Sequence, residues 1–246
     1  MSETAADPFE AYGAIASLGV SSTLQAGRYR FQEAAERHIL KDVIRKLQPL
    51  PEHRMLDIGC GSGALLIPMS FLVAQVTGLD HPATIARLAA KFSAENVELV
   101  GGRFPETRLG DSFERIVAYS VLHYLADQEA VKQFALAAAG KLSSGGRLML
   151  GDIPNKDRQN RYRLSEAGKA GELQWARLKA QQAGDEDQAA VELKLRDAHQ
   201  IGAFTDADLL ALIQFLRSSG FEAYLMPQPR DLPFGETRED IIVERR

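Results

Sequence analysis

The sequence predicts an α/β fold, in which a mostly parallel β-sheet is covered by helices on both faces. Short apolar segments alternate with helical segments over residues 54–151, and this alternation is typical of parallel strands joined by crossover helices. The first apolar segment runs into Gly59, Gly61 and Gly63, a spacing that lets backbone approach a ligand where a helix begins. With 246 residues, 45% of them hydrophobic, the chain can bury one sizeable core. We therefore predict a single domain with a ligand site at the glycine loop.

Each element has its own pattern. The first dozen residues are polar, and we expect them to be frayed. Residues 30–47 have the apolar periodicity of an amphipathic helix, which Pro49 and Pro51 end. The alternating segments that follow are predicted as strands at 54–58, 74–79, 97–100, 114–119 and 146–151, and as helices at 63–72, 82–93 and 127–141.

The pattern changes after the fifth strand. Residues 154–203 have no convincing strand pattern and are rich in charged residues, glutamine and alanine, so we predict a helical insertion divided near Gly184. Within it, a stripe on one helix face is predicted from intervals of four and three residues, made up of Leu164, Gly168, Gly171, Trp175 and Leu178. The glycines in that stripe predict close packing or a helix break. A helix at 206–218, capped by Thr205, and strands at 221–226 and 240–244 complete the chain.

Composition narrows the function classes. The net charge of -4 and pI near 5.8 provide no overall attraction for nucleic acid or an anionic membrane, so a small molecule is the expected partner. No apolar run approaches the ~20 residues of a membrane span, and residues 1–20 lack the pattern of a signal peptide. A cytoplasmic protein is expected. Cys60 is the single cysteine, and the spacing of the histidines, His199 included, predicts no metal site.

Two acids distinguish the ligand. Asp57 precedes the glycine loop, where a carboxylate suits a positive ammonium group and fits poorly beside a pyrophosphate. Asp80 ends the next strand, 21 residues after Gly59, a distance at which an acid accepts hydrogen bonds from ribose hydroxyls. A dinucleotide site is the competing interpretation, because Gly59, Gly61 and Ala64 also satisfy G-x-G-x-x-A. Asp57 argues against it.

The order of these motifs resembles that of the class I S-adenosylmethionine-dependent methyltransferases. The resemblance extends from the glycine loop through the segments 76–80, 96–102, 113–125 and 142–150, and it covers residues 50–153 well and 204–246 loosely. It implies a Rossmann-like seven-stranded sheet whose last strand pair is antiparallel, with S-adenosylmethionine as cofactor. The implied layout is one domain over 1–246, with an N-terminal helical segment at 1–50, a core at 51–153 and 204–246, and a substrate-covering insertion at 154–203.

The resemblance also implies roles for residues around the cofactor. Asp57 would hold the methionyl ammonium group, the loop glycines would admit the methionyl part, and Asp80 would bind the ribose. The full predicted cofactor-binding set is Asp57, Gly59, Cys60, Gly61, Asp80, His81, Gly102, Arg103, Phe104 and Tyr119. Arg103 departs from the family, which commonly has an acid there to accept the adenine amino group. A guanidinium has no acceptor, so adenine needs another one, while Arg103 or Phe104 is placed to stack on the ring.

Residues for the acceptor are predicted at the ends of the fourth and fifth strands. His123 is the candidate general base, the alternative being a histidine that orients its loop. Asp152 and Asn155 are candidate substrate contacts, unless they belong to an ordinary strand-ending turn. Arg158 and Arg161 belong to a basic cluster that either grips an anion or is simply solvated. The segment 27–31 is expected to close over the cofactor.

These expectations combine into one functional hypothesis. The chain is predicted to transfer a methyl group to a small molecule, at a hydroxyl of a glycan, a nucleotide sugar or another anionic metabolite, and not to nucleic acid. Two alternatives stay open: another group-transfer enzyme on the same fold, and a noncatalytic cofactor-binding subunit whose insertion contacts a partner protein. A homodimer is compatible with either.

Overall fold

The computed structural model describes residues 7–110, 112–196, 198 and 202–246, so His199 lies outside the described residues. The strands are β1 (Arg54–Ile58), β2 (Gln75–Asp80), β3 (Val97–Gly101), β4 (Phe113–Tyr119), β5 (Leu142–Pro154), β6 (Glu222–Pro227) and β7 (Arg238–Glu244). The helices are α1 (Pro8–Ala16), α2 (Ser22–Gln25), α3 (Glu33–Glu36), α4 (Ile39–Leu47), α5 (Leu66–Ser70), α6 (Pro82–Ala89), α7 (Gln128–Gly140), α8 (Lys156–Leu164), α9 (Glu166–Gln181), α10 (Glu186–Arg196) and α11 (Asp206–Ser218).

The seven strands form one sheet in the order β3-β2-β1-β4-β5-β7-β6. β1 to β5 are parallel to one another, whereas β7 runs antiparallel to both β5 and β6. The predicted fold class is therefore confirmed, including the antiparallel last pair and the helical insertion after the fifth strand. The strand order reverses between the neighbouring strands β1 and β4. Open α/β sheets bind ligands in the crevice at the carboxyl ends of such a strand pair.

Apolar packing covers the sheet on both faces. One core cluster joins the strands to α7 and α11 through residues such as Phe134 and Leu212, and a second joins them to α4, α5 and α6 through Val43, Met69 and Leu88. Strands covered on both faces read as continuous apolar runs, which is why β1 shows four buried residues in succession. No helix among the described residues has the length and apolarity to span a membrane.

The N-terminal region differs from its prediction. Residues 8–16 are not frayed but form α1, because the Asp7 carboxylate caps the helix by accepting from the Phe9 amide at 3.0 Å and Pro8 occupies the first turn. α1 packs with α2 and α10 around Ile15, Leu24 and Val191. The prediction extended the polar character of the first residues to a segment, PFEAYGAIA, that is mostly apolar; its helix is stabilised by tertiary packing.

The single helix predicted at 30–47 is also wrong. The structure has a 3-10 turn at Arg30–Gln32, then α3, and then α4 after a break at Arg37 and His38. Glu36, at the end of α3, accepts hydrogen bonds from Thr23 at 2.6 Å and from Arg28 at 2.9 Å. These contacts are distant in sequence, and local periodicity does not encode them.

The insertion contains one more break than predicted. α9 ends at Gln181 and α10 begins at Glu186, which confirms the division near Gly184. However, α8 ends at Leu164, which is 79% exposed, so the predicted stripe does not begin there. A Cβ on Gly168 would overlap the Tyr162 carbonyl, and one on Gly171 would lie 2.5 Å from the Tyr162 hydroxyl. Both reasons considered for these glycines, close packing and a break, therefore apply.

Candidate active site

A cavity of about 1090 Å³ lies at the carboxyl ends of β1, β2 and β4. Its sheet-side lining contains most of the predicted cofactor residues: Asp57, Gly59, Cys60, Gly61, Asp80, Gly102, Arg103, Phe104 and Tyr119. Its opposite lining comes from the N-terminal helices and includes Asp7, Phe9, Tyr12, Thr23, Arg28, Glu36 and Arg37. The N-terminal segment thus forms a wall of the cavity, to which Arg28 contributes from the segment 27–31; closure of that segment over the cofactor stays a prediction.

The glycine loop folds tightly against β2. Gly59 and Gly61 have φ values of 77° and 54°, in the left-handed region that favours glycine. The Gly59 amide donates to the Leu79 carbonyl at 2.8 Å, and a Cβ at Gly59 would lie 2.8 Å from a methyl group of Val121. The absence of a side chain therefore leaves the loop backbone accessible between β1 and the segment that follows β4.

Asp57 has a carboxylate without a complete set of partners. Its side chain is buried, with the residue 2% exposed, and its Oδ2 atom has no hydrogen-bond partner among the described residues. Burial, together with the negative charge of Asp80, raises the pKa of Asp57 to about 7. A buried carboxylate in this state is costly to ionise, and a cationic group in the cavity would relieve the cost.

Asp80 is fixed in place by backbone donors. Its Oδ2 accepts from the Gly61 amide at 2.8 Å, and its Oδ1 accepts from the His81 amide at 2.6 Å. Burial raises its pKa, although these two hydrogen bonds oppose the rise. The carboxylate is therefore oriented against the cavity wall, with lone pairs left for a ligand.

His81 is turned differently from the other predicted cofactor residues. Its ring nitrogen accepts from the Ala83 amide at 3.1 Å, and its ring lies 4.9 Å from the Phe9 ring, measured between centroids. Its other ring nitrogen is 3.4 Å from Glu10. His81 caps α6 and contacts α1. It is not among the described residues that line the cavity.

The far end of the cavity is bounded by Arg103 and Phe104. The Arg103 guanidinium forms an ion pair with Asp7 and lies 4.3 Å from the centroid of the Phe9 ring. Phe104 is buried and meets Phe134 edge-on, with 5.1 Å between ring centroids. Arg103 therefore connects α1 to the segment after β3.

A polar cluster closes the opposite end. Arg28 donates to Glu36 at 2.9 Å, to Ser120 at 2.9 Å and to Asp152 at 3.3 Å, while the Ser120 hydroxyl also donates to Asp152. Ser120 and Asp152 both have φ of 61°, which costs a residue other than glycine of order 1–3 kcal/mol. We call Arg28, Glu36, Ser120, Asp152 and Arg238 the arginine cluster.

Charge balance within the arginine cluster decides the state of Asp152. Burial raises the pKa of Asp152, but the charges of Arg238 and Arg28 outweigh burial and hold it below its ordinary value. Arg238 donates to the Asp152 carboxylate at 3.3 Å. Two carboxylates, Glu36 and Asp152, thus offset two guanidinium groups, and the cluster has no net charge.

Tyrosines line the same end. The Tyr12 and Tyr124 hydroxyls are hydrogen-bonded to each other, and burial raises the pKa of both. Tyr119 is also held protonated, since burial raises its pKa, and its hydroxyl accepts from Gln228 at 3.4 Å. This end of the cavity therefore presents neutral phenol groups.

His123 lies behind Tyr124, with 4.1 Å between ring centroids, and it is outside the described lining of the cavity. Burial and the positive charge of Arg238 lower its pKa to about 3. Its Nδ1 atom has no hydrogen-bond partner among the described residues. A general base works best with a pKa near the working pH, so this placement argues against His123 as the base; its unpartnered Nδ1 makes no backbone hydrogen bond to the described residues that would orient the loop.

The other predicted substrate residues occupy a different place. Asn155 caps α8 and lines a separate cavity of about 130 Å³. Arg158 donates to the carbonyls of Gly235 and Glu236, and Arg161 pairs with Asp206 at 2.5 Å. Their side chains hold the start of α8 to its neighbours. Of the four predicted substrate residues, the structure brings only Asp152 to the edge of the large cavity, through Ser120 and Arg28.

Several residues of the lining were not predicted, among them Asp7, Phe9, Tyr12, Ser120 and Tyr124. The signal for the first three was present, because Asp followed by Pro is a typical start of a helix. Ser120 directly follows β4, so its place at the carboxyl end of the sheet agrees with the strand-end rule; its contact with Arg28 had no local signal.

Comparison with known proteins identifies the central part of the chain. Residues 56–150 match the family model described as a methyltransferase domain. A ubiquinone biosynthesis O-methyltransferase of Methylobacterium sp. (strain 4-46) is 36% identical over 112 residues, covering 44% of each chain. Another ubiquinone biosynthesis O-methyltransferase, of Chelativorans sp. (strain BNC1), is 33% identical over 119 residues, again 44% of each. These matches span less than half the length of either relative.

Solved structures extend the likeness in fold to nearly the whole chain. Magnesium protoporphyrin IX methyltransferase from Synechocystis PCC 6803, with bound S-adenosylhomocysteine, gives a TM-score of 0.59 at 16% identity, covering 97% of this chain and 94% of that one. An N-methyltransferase from Bradyrhizobium japonicum WM9, also with S-adenosylhomocysteine, gives 0.57 at 14% identity, covering 97% of both. At such identities, the likeness shows the fold alone.

Proposed function

Because residues 56–150 form a class I S-adenosylmethionine-dependent methyltransferase domain, we propose that the chain transfers a methyl group from S-adenosylmethionine to a hydroxyl of a small molecule. One observation carries the proposal: the buried, unpartnered Oδ2 of Asp57 and the oriented carboxylate of Asp80 line one cavity. A ligand with an amino-acid part and a ribose part has an ammonium group that can pair with Asp57 and two ribose hydroxyl groups that can donate to Asp80.

The described residues fit this cofactor along the sheet edge. Asp57 would hold the methionyl ammonium group, and the Gly59 to Gly61 backbone would lie against the methionyl chain. Asp80 would accept from the ribose hydroxyls. When bound, S-adenosylmethionine supplies a methyl group already activated on a sulfonium, so the protein chiefly has to position the acceptor.

The arginine cluster and the tyrosines would form the acceptor end. Tyr12, Tyr124 and Ser120 offer hydroxyl groups there, while the charge of Arg28 is offset by Glu36 and Asp152. An uncharged acceptor with hydroxyl groups fits this lining best. Among the predicted classes, this favours a glycan hydroxyl over a nucleotide sugar or another anionic metabolite. The names of the relatives, both O-methyltransferases, support transfer to oxygen.

Titration calorimetry with S-adenosylmethionine and S-adenosylhomocysteine tests the proposal. We expect micromolar binding that Asp80→Ala abolishes and Asp231→Ala leaves unchanged, since Asp231 is exposed and pairs with His38. Failure of the folded protein to bind either ligand would refute the cofactor assignment.

A methyl-transfer assay with neutral and anionic hydroxylated acceptors then separates the remaining alternatives. Transfer to a neutral acceptor is the expected result. Binding of the cofactor without transfer to any acceptor would favour the noncatalytic subunit, and transfer of a group other than methyl would favour the other enzyme class on this fold.

A further inference from the structure

The adenine end of the cavity has a carboxylate that comes from an unexpected element. The segment after β3 supplies Arg103, which has donors but no acceptor. Asp7, at the start of α1, lines the cavity at this end. An acid at the start of α1 therefore lies beside Arg103, the position at which the segment after β3 supplies no acceptor.

Arg103 fixes the Asp7 carboxylate. Both Asp7 oxygens contact the guanidinium, and Oδ1 also accepts from the Phe9 amide at 3.0 Å. Partial burial raises the pKa of Asp7, but Arg103 and the Phe9 amide outweigh this and lower it. A carboxylate has about four lone-pair sites, and three are used here, so one acceptor site is left.

Aromatic groups flank this acceptor. Phe9 lines the cavity beneath Arg103, and Phe104 lines it from the β3 side. A flat heterocycle at this end would meet two aromatic side chains and one carboxylate. Glu106 also lines the cavity, and both acids are exposed, but Asp7 is held by Arg103 and the Phe9 amide, which preorganises it for a hydrogen bond.

We propose that Asp7 accepts the hydrogen bond of the exocyclic amino group of adenine in the bound cofactor, and that Arg103 is the positioning residue that holds Asp7 for this contact. The proposal rests on the proposed function, since it assumes that the cavity binds an adenosyl cofactor. It assigns to α1 a part in cofactor specificity as well as in closing the cavity.

The test is a comparison of two ligands by calorimetry. The first is S-adenosylhomocysteine, and the second is its analogue with purine in place of adenine, which lacks the amino group and adds no donor. Asp7→Asn keeps a good N-cap for α1 but replaces the charged acceptor. Glu10→Gln is the matched control on the same helix, outside the described lining, and Glu106→Gln tests the competing acid.

We expect Asp7→Asn to lower the affinity for S-adenosylhomocysteine by about tenfold, which is the scale of a hydrogen bond to a charged group. The affinity for the purine analogue should fall by less than about twofold. Arg103→Ala should act in the same direction and with the same ligand preference. Glu10→Gln should leave both affinities unchanged, and Glu106→Gln should leave the ratio of the two affinities unchanged.

Three results would overturn the inference. Equal weakening of both ligands by Asp7→Asn would mean that Asp7 only stabilises α1, and no weakening of either would mean that adenine has another acceptor. A selective loss in Glu106→Gln would assign the contact to Glu106. If the wild-type protein binds neither ligand, the proposed function has failed instead, and the two failures are thereby distinguished.

Discussion

Two buried aspartates at the carboxyl ends of the sheet have opposite electrostatic environments. Asp57 in β1 and Asp152 in β5 are 2% and 3% exposed. Burial and the charge of Asp80 raise the pKa of Asp57 to about 7, whereas Arg238 and Arg28 overcome burial and lower the pKa of Asp152. Equal burial therefore shifts the two pKa values in opposite directions, because two guanidinium groups lie beside Asp152, whereas the charge that acts on Asp57 is the carboxylate of Asp80.

The contrast separates a binding group from a structural one. Asp152 already has its cations, and its backbone amide donates to Asp240 at 2.8 Å, so it holds the acceptor end together. Asp57 has a buried oxygen without a hydrogen-bond partner among the described residues, and under the proposed function a cationic ligand would supply one. The difference predicts which substitution costs stability and which costs binding.

The strongest test of the contrast is Asp152→Asn. Removing this charge leaves Arg28 and Arg238 without a shared carboxylate, and breaking a buried ion pair costs roughly 3–5 kcal/mol. We expect the free energy of unfolding, measured in urea at pH 8, to fall by about that amount. Asp187→Asn, which breaks the exposed pair with Arg30, is the control and should change it little. A small effect of Asp152→Asn would mean that the arginine cluster is solvated.

The same change at Asp57 should have the opposite effect on stability. Asp57→Asn removes a charge that is expensive to bury, so we expect the free energy of unfolding of the ligand-free protein at pH 8 to rise by roughly 1–3 kcal/mol. It should also lower the affinity for S-adenosylhomocysteine by at least about tenfold, because the ammonium group of the ligand loses the carboxylate that would pair with it. Lower stability together with unchanged affinity would reverse the assignment of Asp57.

More of the residues at the proposed cofactor end than at the proposed acceptor end could be predicted from the sequence, and the reason is physical. Asp57, the glycine loop and Asp80 belong to a strand, a turn and a second strand, so their positions follow from local geometry and the confirmed sheet order. Ser120 and Arg28 meet across 92 residues. That contact depends on how the N-terminal helices pack, which no local pattern specifies.

The two wrong element predictions have the same origin. α1 depends on its packing with α2 and α10. The continuous helix at 30–47 was inferred from periodicity, but the helix breaks where Glu36 makes tertiary contacts. Asn155, Arg158 and Arg161 follow β5 in sequence, yet they contact α11, β7 and the loop before β7. These residues follow the end of a strand in sequence, but this position alone did not determine whether the chain after β5 turns toward the large cavity or away from it.

The raised pKa of Asp57 also predicts a pH dependence. Between its ordinary pKa of 3.8 and about 7, the folded protein retains a proton that the unfolded chain has lost, so the contribution to stability is present at low pH and is lost as the pH rises through about 7. Binding of an ammonium group requires the ionised form. We therefore expect the affinity for S-adenosylhomocysteine to increase about tenfold from pH 6 to pH 8.

Calorimetry in buffers of different ionisation enthalpy checks this pH dependence, since binding at pH 6 should release close to one proton. Asp80 and Cys60 lie close enough to couple with Asp57, so the control is Asp57→Asn, in which the affinity should lose its pH dependence over this range. A dependence that persists in Asp57→Asn would assign the titration to another group.

The smallest expected effect concerns the hydroxyl pair of Tyr12 and Tyr124, which joins α1 to the turn after β4. A double-mutant cycle with Tyr12→Phe, Tyr124→Phe and the double variant should give a coupling of about 1 kcal/mol in the free energy of unfolding. Tyr224→Phe on the exposed face of β6 is the control. Since α1 also carries Asp7, breaking the pair should weaken S-adenosylhomocysteine slightly. Zero coupling would mean that the two hydroxyls act independently, and the acceptor end would then be held by the arginine cluster alone.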